Sequence, residues 1–348
     1  MLHPIKKISY KHIDTLILFG GSFLMARLLE ELLKGKFGYK IVLFTALRHL
    51  DGVINEKGTT LRAFLENRKI SFFEAEDINN HAHLAENVTP NSLGLALGAA
   101  WPFEKKTARL FSEGHLLDVM GVDLPCYRGG AHYTWQILHG NRQGAINLQV
   151  VLGGAVSFHK GPILKNLRYA IPRAVSQPID YFNVCLEREI TFLVSFFTEV
   201  KKGKTFTSRA LDENRSSWYP FLSTPHQGLI DWSWSGSDIA LFIGAFGEPY
   251  KGASTYLGEK RVFLKGCSIL KAEEKYHPFT AGIVIRKNGE GIFVATKGAL
   301  LLIARVLDEN GNDIGSEVFA GSRLYTPSSE LDKAMGFNAE YGASGLKK

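Results

Sequence analysis

Residues 121–135, Gly-Val-Asp-Leu-Pro-Cys-Tyr-Arg-Gly-Gly-Ala-His-Tyr-Thr-Trp, put a proline, an aromatic ring, a cation, two glycines and an imidazole into one stretch. Pro125 fixes φ and ends a strand, while Gly129 and Gly130 let the backbone turn sharply beside a pocket. Tyr127 and Arg128 stand between them. Arg128 has two readings, an anchor bonded to backbone carbonyls or a carboxylate, or a contact to a ligand's phosphate. His132 opens the next helix, where the helix N-terminus lowers an imidazole pKa; it is a candidate for proton chemistry or a first-turn residue facing solvent. A second turn, Gly20-Gly21-Ser22, follows an apolar run and precedes an amphipathic one. Small residues there bring backbone N–H groups to a ligand at the strand ends. The turn is not Gly-x-Gly-x-x-Gly, and no acid at the end of the second strand would hold a ribose, which argues against a dinucleotide.

The elements that must position these turns alternate. "DTLILFGGSFLMARLLEELLKG" reads as strand, turn and helix, and "YKIVLFTA", "ISFFEAEDI", "SLGLALGAAW" and "HLLDVMGVDLP" as further strands. "TTLRAFLENRK", "FEKKTARLFSEG" and "AHYTWQILHG" read as the helices between them, the last stopped by Gly140. "GAINLQVVLGG" adds a strand, and 176–203 carries apolar residues at i, i+3, i+4 and i+7 as a long amphipathic helix. The pattern predicts an α/β fold with a doubly wound, mostly parallel sheet over residues 1–204. From about residue 205 the texture turns to Trp, Pro and Gly, then to short strands bounded by Gly and Asn-Gly turns. Residues 205–348 are expected to be a small β-barrel-like domain.

At 348 residues, with 45% hydrophobic and 22% charged residues, the chain can bury a core as a globular protein. Cys126, Cys185 and Cys267 are odd in number and lack metal-ligand spacing, which argues for reduced thiols, no metal and the cytoplasm. No apolar run reaches the roughly 18 residues that span a bilayer. A net charge of +7 favours an anionic small-molecule partner. The basic residues are scattered, unlike a nucleic-acid footprint. An oligomer is left open.

The order of elements, with "DVMGVDLPCYRGGAHYTWQILHGNRQGAINLQVV" and "GLIDWSWSGSDIALFIGAFGEPYKGASTYLGEKRVFLKGC", resembles the formyltransferases that use 10-formyltetrahydrofolate, such as methionyl-tRNA formyltransferase and nucleotide-sugar N-formyltransferases. Leu124, Pro125, Tyr127, Arg128, Gly129 and Gly140 fall into that family's pattern. The resemblance implies a Rossmann-like N-terminal domain, a C-terminal β-barrel-like domain and formyl transfer to an amine. It also implies an Asn, a His and an Asp at the reacting centre. Here the Asn position is Asp118, the His position Met120, and the Asp position His159. A thioether cannot relay a proton, and an ionised Asp118 would repel a developing oxyanion. His159 acting as acid or base near neutrality, oriented by Asp118, would be a rebuilt site; a hydrogen-bonded structural His159 is the alternative.

For the folate co-substrate, the resemblance implies a slot made by Gly98, Ala100, Trp101 and Pro102 with Val151, Gly153, Gly154 and Ala155. Trp101 lines that slot or packs in the core under the barrel. Gly20, Gly21, Ser22, Pro125, Tyr127 and Arg128 are expected on the acceptor side. The leading expectation is formyl transfer from 10-formyltetrahydrofolate to a nucleotide-linked amino sugar. A homologue that binds folate or a nucleotide without transfer is the alternative, and formylation of initiator tRNA lacks both the catalytic set and a concentrated basic face.

Overall fold

The computed structural model describes residues 6–154, 159–270, 276–342 and 345–347. The N-terminal part runs β1 (Lys7–Ser9), β2 (Thr15–Gly20), α1 (Phe23–Lys34), β3 (Lys40–Thr45), α2 (Leu47–Leu50), α3 (Leu61–Asn67), β4 (Ser71–Glu74), α4 (Ala82–Asn87), β5 (Ser92–Leu97), α5 (Lys105–Ala108) and β6 (Leu116–Met120). It continues through β7 (Arg128–Gly129), α6 (His132–Leu138), β8 (Gln143–Val150), β9 (Ile163–Ala170) and α7 (Pro178–Lys201). Seven strands form one sheet in the order β4-β3-β2-β5-β6-β8-β9. The first five are parallel, and β8 and β9 are antiparallel.

Side chains alternate across a strand, so β2 feeds two cores. Leu16 and Leu18 join α1 and the buried stripe of α7 on one face. Ile17 and Phe19 join Trp101, Phe103 and Phe111 on the other. Both faces are covered, which is why β2 and β5 are buried along their whole lengths. α7 starts at a capping box in which Gln177 and Asp180 satisfy each other's backbone N–H groups.

Two expectations change. The helix read over 103–114 shrinks to the single turn α5, because Phe111 must turn into the core before the chain enters β6. Strand β9 has no sequence signal because it is the sheet edge, with Asn166, Leu167 and Arg168 exposed.

The remainder begins with β10 (Thr205–Thr207), which pairs with β1, and β11 (Trp218–Tyr219), which runs parallel to β7. It then gives α8 (Thr224–Gln227), α9 (Gly236–Ala245), β12 (Ala253–Leu257), β13 (Lys260–Leu270), β14 (Val284–Asn288), β15 (Gly291–Thr296), β16 (Ala299–Leu307) and β17 (Leu324–Tyr325). Six strands form an antiparallel sheet in the order β14-β15-β16-β13-β12-β17. Backbone bonds from Leu324 to Gly282 and from Val284 to Ser322, both 2.8 Å, bring its two edges together. The sheet therefore curls into the expected barrel-like shape around Val262, Leu264, Val294 and Ile303, with α9 against it. Ile137 and Tyr181 of the N-terminal part belong to that same core.

Candidate active site

A cavity of about 460 Å³ opens at the C-terminal ends of β2, β5 and β6, the end of an open α/β sheet where ligands bind. Asp118 and Met120, two apart on β6, point to the same face and both line it. His132 reaches it from the start of α6, and His159 from the segment before β9.

The sheet register explains the partner of Asp118. Antiparallel pairing sets Gln149 of β8 directly opposite, and its Nε2 donates to Asp118 Oδ2 at 3.2 Å. Burial outweighs that bond and raises the carboxyl to about 7. Asp118 is therefore protonated below neutrality and can donate a hydrogen bond, so the expected repulsion of an oxyanion applies only above that pH. Met120 is buried with Val122, Leu124, Ile163 and Leu211, which accounts for an apolar side chain there.

The imidazoles are driven the other way. Burial lowers His132 to about 4, and its Nε2 donates to Gly129 O at 3.0 Å. His132 is thus not the solvent-facing residue of the alternative reading. Burial, then His132 and Arg128, lower His159 to about 3. Its ring lies 6.0 Å from that of His132 and 6.5 Å from Trp218, and its backbone is left-handed at φ 56°. Both rings are neutral at pH 7, which corrects the expectation that His159 works as acid or base near neutrality.

These shifts set a pH dependence. A carboxyl that keeps its proton to about pH 7 when folded, but loses it near 4 when unfolded, stabilises the fold at low pH; that contribution is lost as pH rises through this window. A buried neutral imidazole destabilises below its unfolded value near 6.5, and that cost vanishes as pH rises. The two effects oppose each other from roughly pH 4.5 to 6.5. Asp118→Asn should make the slope of unfolding free energy against pH more positive by about 1.4 kcal/mol per pH unit in this window, and His159→Gln more negative by a similar amount. Urea unfolding at five pH values measures both slopes, and parallel curves for parent and variants would contradict the assignment.

Residues 223–323 match the formyl transferase C-terminal domain family. A methionyl-tRNA formyltransferase of Desulfotalea psychrophila is 27% identical over 206 residues, 58% of this chain and 60% of that protein. Residues 223–323 therefore carry a formyl transferase C-terminal domain. The 206 matched residues span about 60% of the length of that curated relative. In fold, this chain is similar to an N-formyltransferase of Helicobacter canadensis solved with folinic acid and dTDP-3-aminofucose, at TM-score 0.63 and 13% identity, covering 84% of this chain and 99% of that one. It is also similar to HypX of Aquifex aeolicus with tetrahydrofolic acid, at TM-score 0.56 and 15% identity, covering 87% of this chain and 46% of that one.

Of the slot residues, Gly98, Trp101, Pro102, Val151, Gly153 and Gly154 line the cavity. Ala100 does not, and its neighbour Ala99 does. Ala155 lies outside the described residues. Trp101 does both things expected of it, but its core is the N-terminal one with Phe103 and not the barrel; its Nε1 donates to Glu76 O at 2.8 Å.

The acceptor-side residues fare differently. Ser22 lines the cavity. Gly20 and Gly21 sit behind its wall, where a Cβ would stand 2.1 Å from Leu97 O and 2.4 Å from His49 Cβ respectively. Pro125, in a cis peptide with Leu124, and Tyr127 form the supporting loop, with Tyr127 stacked on Tyr219 and its Oη accepting from Asn141. Arg128 is fully buried, and its donors go to His159 O, Glu213 and Ser216 Oγ. These are the bonds that the anchor reading describes. Gln149, Phe182, Glu189 and Phe221 line the cavity without having been singled out. Among the described lining residues there is no Lys or Arg.

Proposed function

We propose that this protein transfers a formyl group from 10-formyltetrahydrofolate to the amine of a small acceptor, a nucleotide-linked amino sugar. The observation that carries the reading is the convergence of Asp118, His132 and His159 on one cavity whose other wall is the slot of Gly98, Trp101, Pro102 and Val151. The volume lies in the range of small-molecule sites, roughly 300–1,000 Å³. A Cβ on Gly98 would meet nothing within 4 Å, so this backbone faces open space where a flat heterocycle fits. The co-substrate supplies the activated formyl group. In its neutral form Asp118 donates a hydrogen bond to the oxygen that becomes negative when the amine adds. With no lysine or arginine among the described lining residues, the acceptor's amino sugar enters and its phosphates stay outside.

We also propose that the chain divides into 1–204 and 205–348, acts in the cytoplasm and takes no nucleic-acid partner. Met120 favours the second reading, a folate binder without transfer, because the position nearest Asp118 on that face has no proton to give. Quenching of Trp101 fluorescence by folinic acid, followed by single-turnover release of tetrahydrofolate with amino-sugar nucleotides, separates the two. Quenching with release supports the enzyme, quenching without release supports the binder, and no quenching removes both.

A further inference from the structure

Glu189 sits mid-way along α7, on the stripe that packs against the sheet, and is only 5% exposed. Its helix lays Phe182 and, two turns later, Glu189 along the cavity wall. Gly121, just after β6, makes that possible. A Cβ at position 121 would stand 2.8 Å from Glu189 Oε1, 3.2 Å from Cys185 Sγ and 3.2 Å from Tyr133 Oη. Bare backbone there leaves the carboxyl open to the cavity.

We propose that Glu189 accepts the proton given up by the amine that attacks the formyl carbon, an inference that rests on the formyl-transfer reading above. The amine nitrogen bonds to the formyl carbon and passes its N–H proton to the Glu189 carboxylate. The bond from that carbon to its carrier nitrogen breaks, the carrier nitrogen takes a proton from water, and Glu189 returns its own proton to solvent.

The surroundings favour this group over the imidazoles. Cys185 on α7, Tyr133 on α6 and, through Cys185, Tyr169 on β9 face Glu189; burial raises the thiol to about 12 and both phenols well above their usual value, so all three are neutral. Arg188 is turned to the Tyr169 ring, 4.7 Å from its centre. With burial raising it, Glu189 titrates at about 7, where a base is most useful, whereas His132 and His159 are weak bases.

The test uses the full chain, 10-formyltetrahydrofolate and a high concentration of methylamine, an acceptor that needs no sugar pocket. Formation of N-methylformamide is followed in single turnover from pH 5.5 to 8.5, beside folinic acid binding. Glu189→Gln should slow the reaction about 10²-fold at pH 8 and remove the ascending limb of a rate profile whose descending limb is the ionisation of Asp118, with folinic acid affinity unchanged. Glu189→Asp should keep part of the rate and shift the rise, which covers the case in which the amide disturbs packing. A Glu189→Gln protein that matches the parent in rate and pH profile overturns the proposal and spares the formyl-transfer reading. A parent that binds no folinic acid overturns both.

Discussion

The double variant Asp118→Asn/Met120→His should release tetrahydrofolate about 10²-fold faster than the parent at pH 8 in single turnover with an amino-sugar nucleotide. At that pH the parent's Asp118, titrating at about 7, is mostly an anion beside the place where negative charge develops. The amide removes the anion and keeps the shape, and its NH₂ group offers a donor. An imidazole at position 120, on the same face of β6, adds the donor that a thioether lacks. At pH 6 the gain should shrink, because Asp118 is then protonated and already donates, leaving only the contribution of position 120. Met120 belongs to an apolar cluster, so the histidine should cost about 1–3 kcal/mol of stability, measurable by urea unfolding. A folded double variant that binds folinic acid and acceptor yet gains nothing at either pH would show that the scaffold does not align them, and the binder reading would stand.

The parallel sheet was legible because β2, β3 and β5 are buried on both faces and read as unbroken apolar runs between glycine turns. The barrel strands were legible for a different reason, their Asn-Gly and Gly stops. The cavity was half legible. Pro125, Gly129 and Arg128 mark a loop in sequence, but a run of letters does not say which side of the loop meets the ligand. Arg128 and Tyr127 turn away from the cavity while His132, four residues past Arg128, turns in. Charge state was not legible at all. Asp118 and His159 exchange their ordinary behaviour near neutrality because of burial, a property of the assembled cavity. Glu189 did leave a trace, a lone acid on the buried stripe of Tyr181, Cys185, Leu193 and Phe196. A charge on such a stripe is costly unless it is paired or used.

Arg128→Ala should destabilise the protein by about 3 kcal/mol, more than any single change in the cavity wall. The guanidinium is fully buried and forks onto Glu213, with Nη1 2.6 Å from Oε2 and Nη2 2.8 Å from Oε1. Nη1 also donates to Ser216 Oγ at 2.6 Å, and Nε to His159 O at 2.9 Å. One side chain therefore fastens the loop before α6 to the left-handed residue His159 and to the segment leading into β11. The Glu213 side chain is 53% exposed and can rehydrate, which places the loss at the lower end of the roughly 3–5 kcal/mol expected when a buried pair is broken. The cost should come from the bonds to His159 and Ser216 and from the space left behind. Arg128→Lys keeps the charge but loses the planar fork, so it should fall between parent and alanine, while Glu213→Gln leaves the buried guanidinium without its counter-charge and should cost about 3 kcal/mol as well. Hydrogen exchange should speed up first at the Arg128 and Gly130 amides, which bond to Ser217 O and Tyr219 O along the β7–β11 pair. If Arg128→Ala stayed within 1 kcal/mol of the parent and lost affinity only for phosphate-bearing ligands, the arginine would be a ligand contact, and its burial would describe only the ligand-free chain.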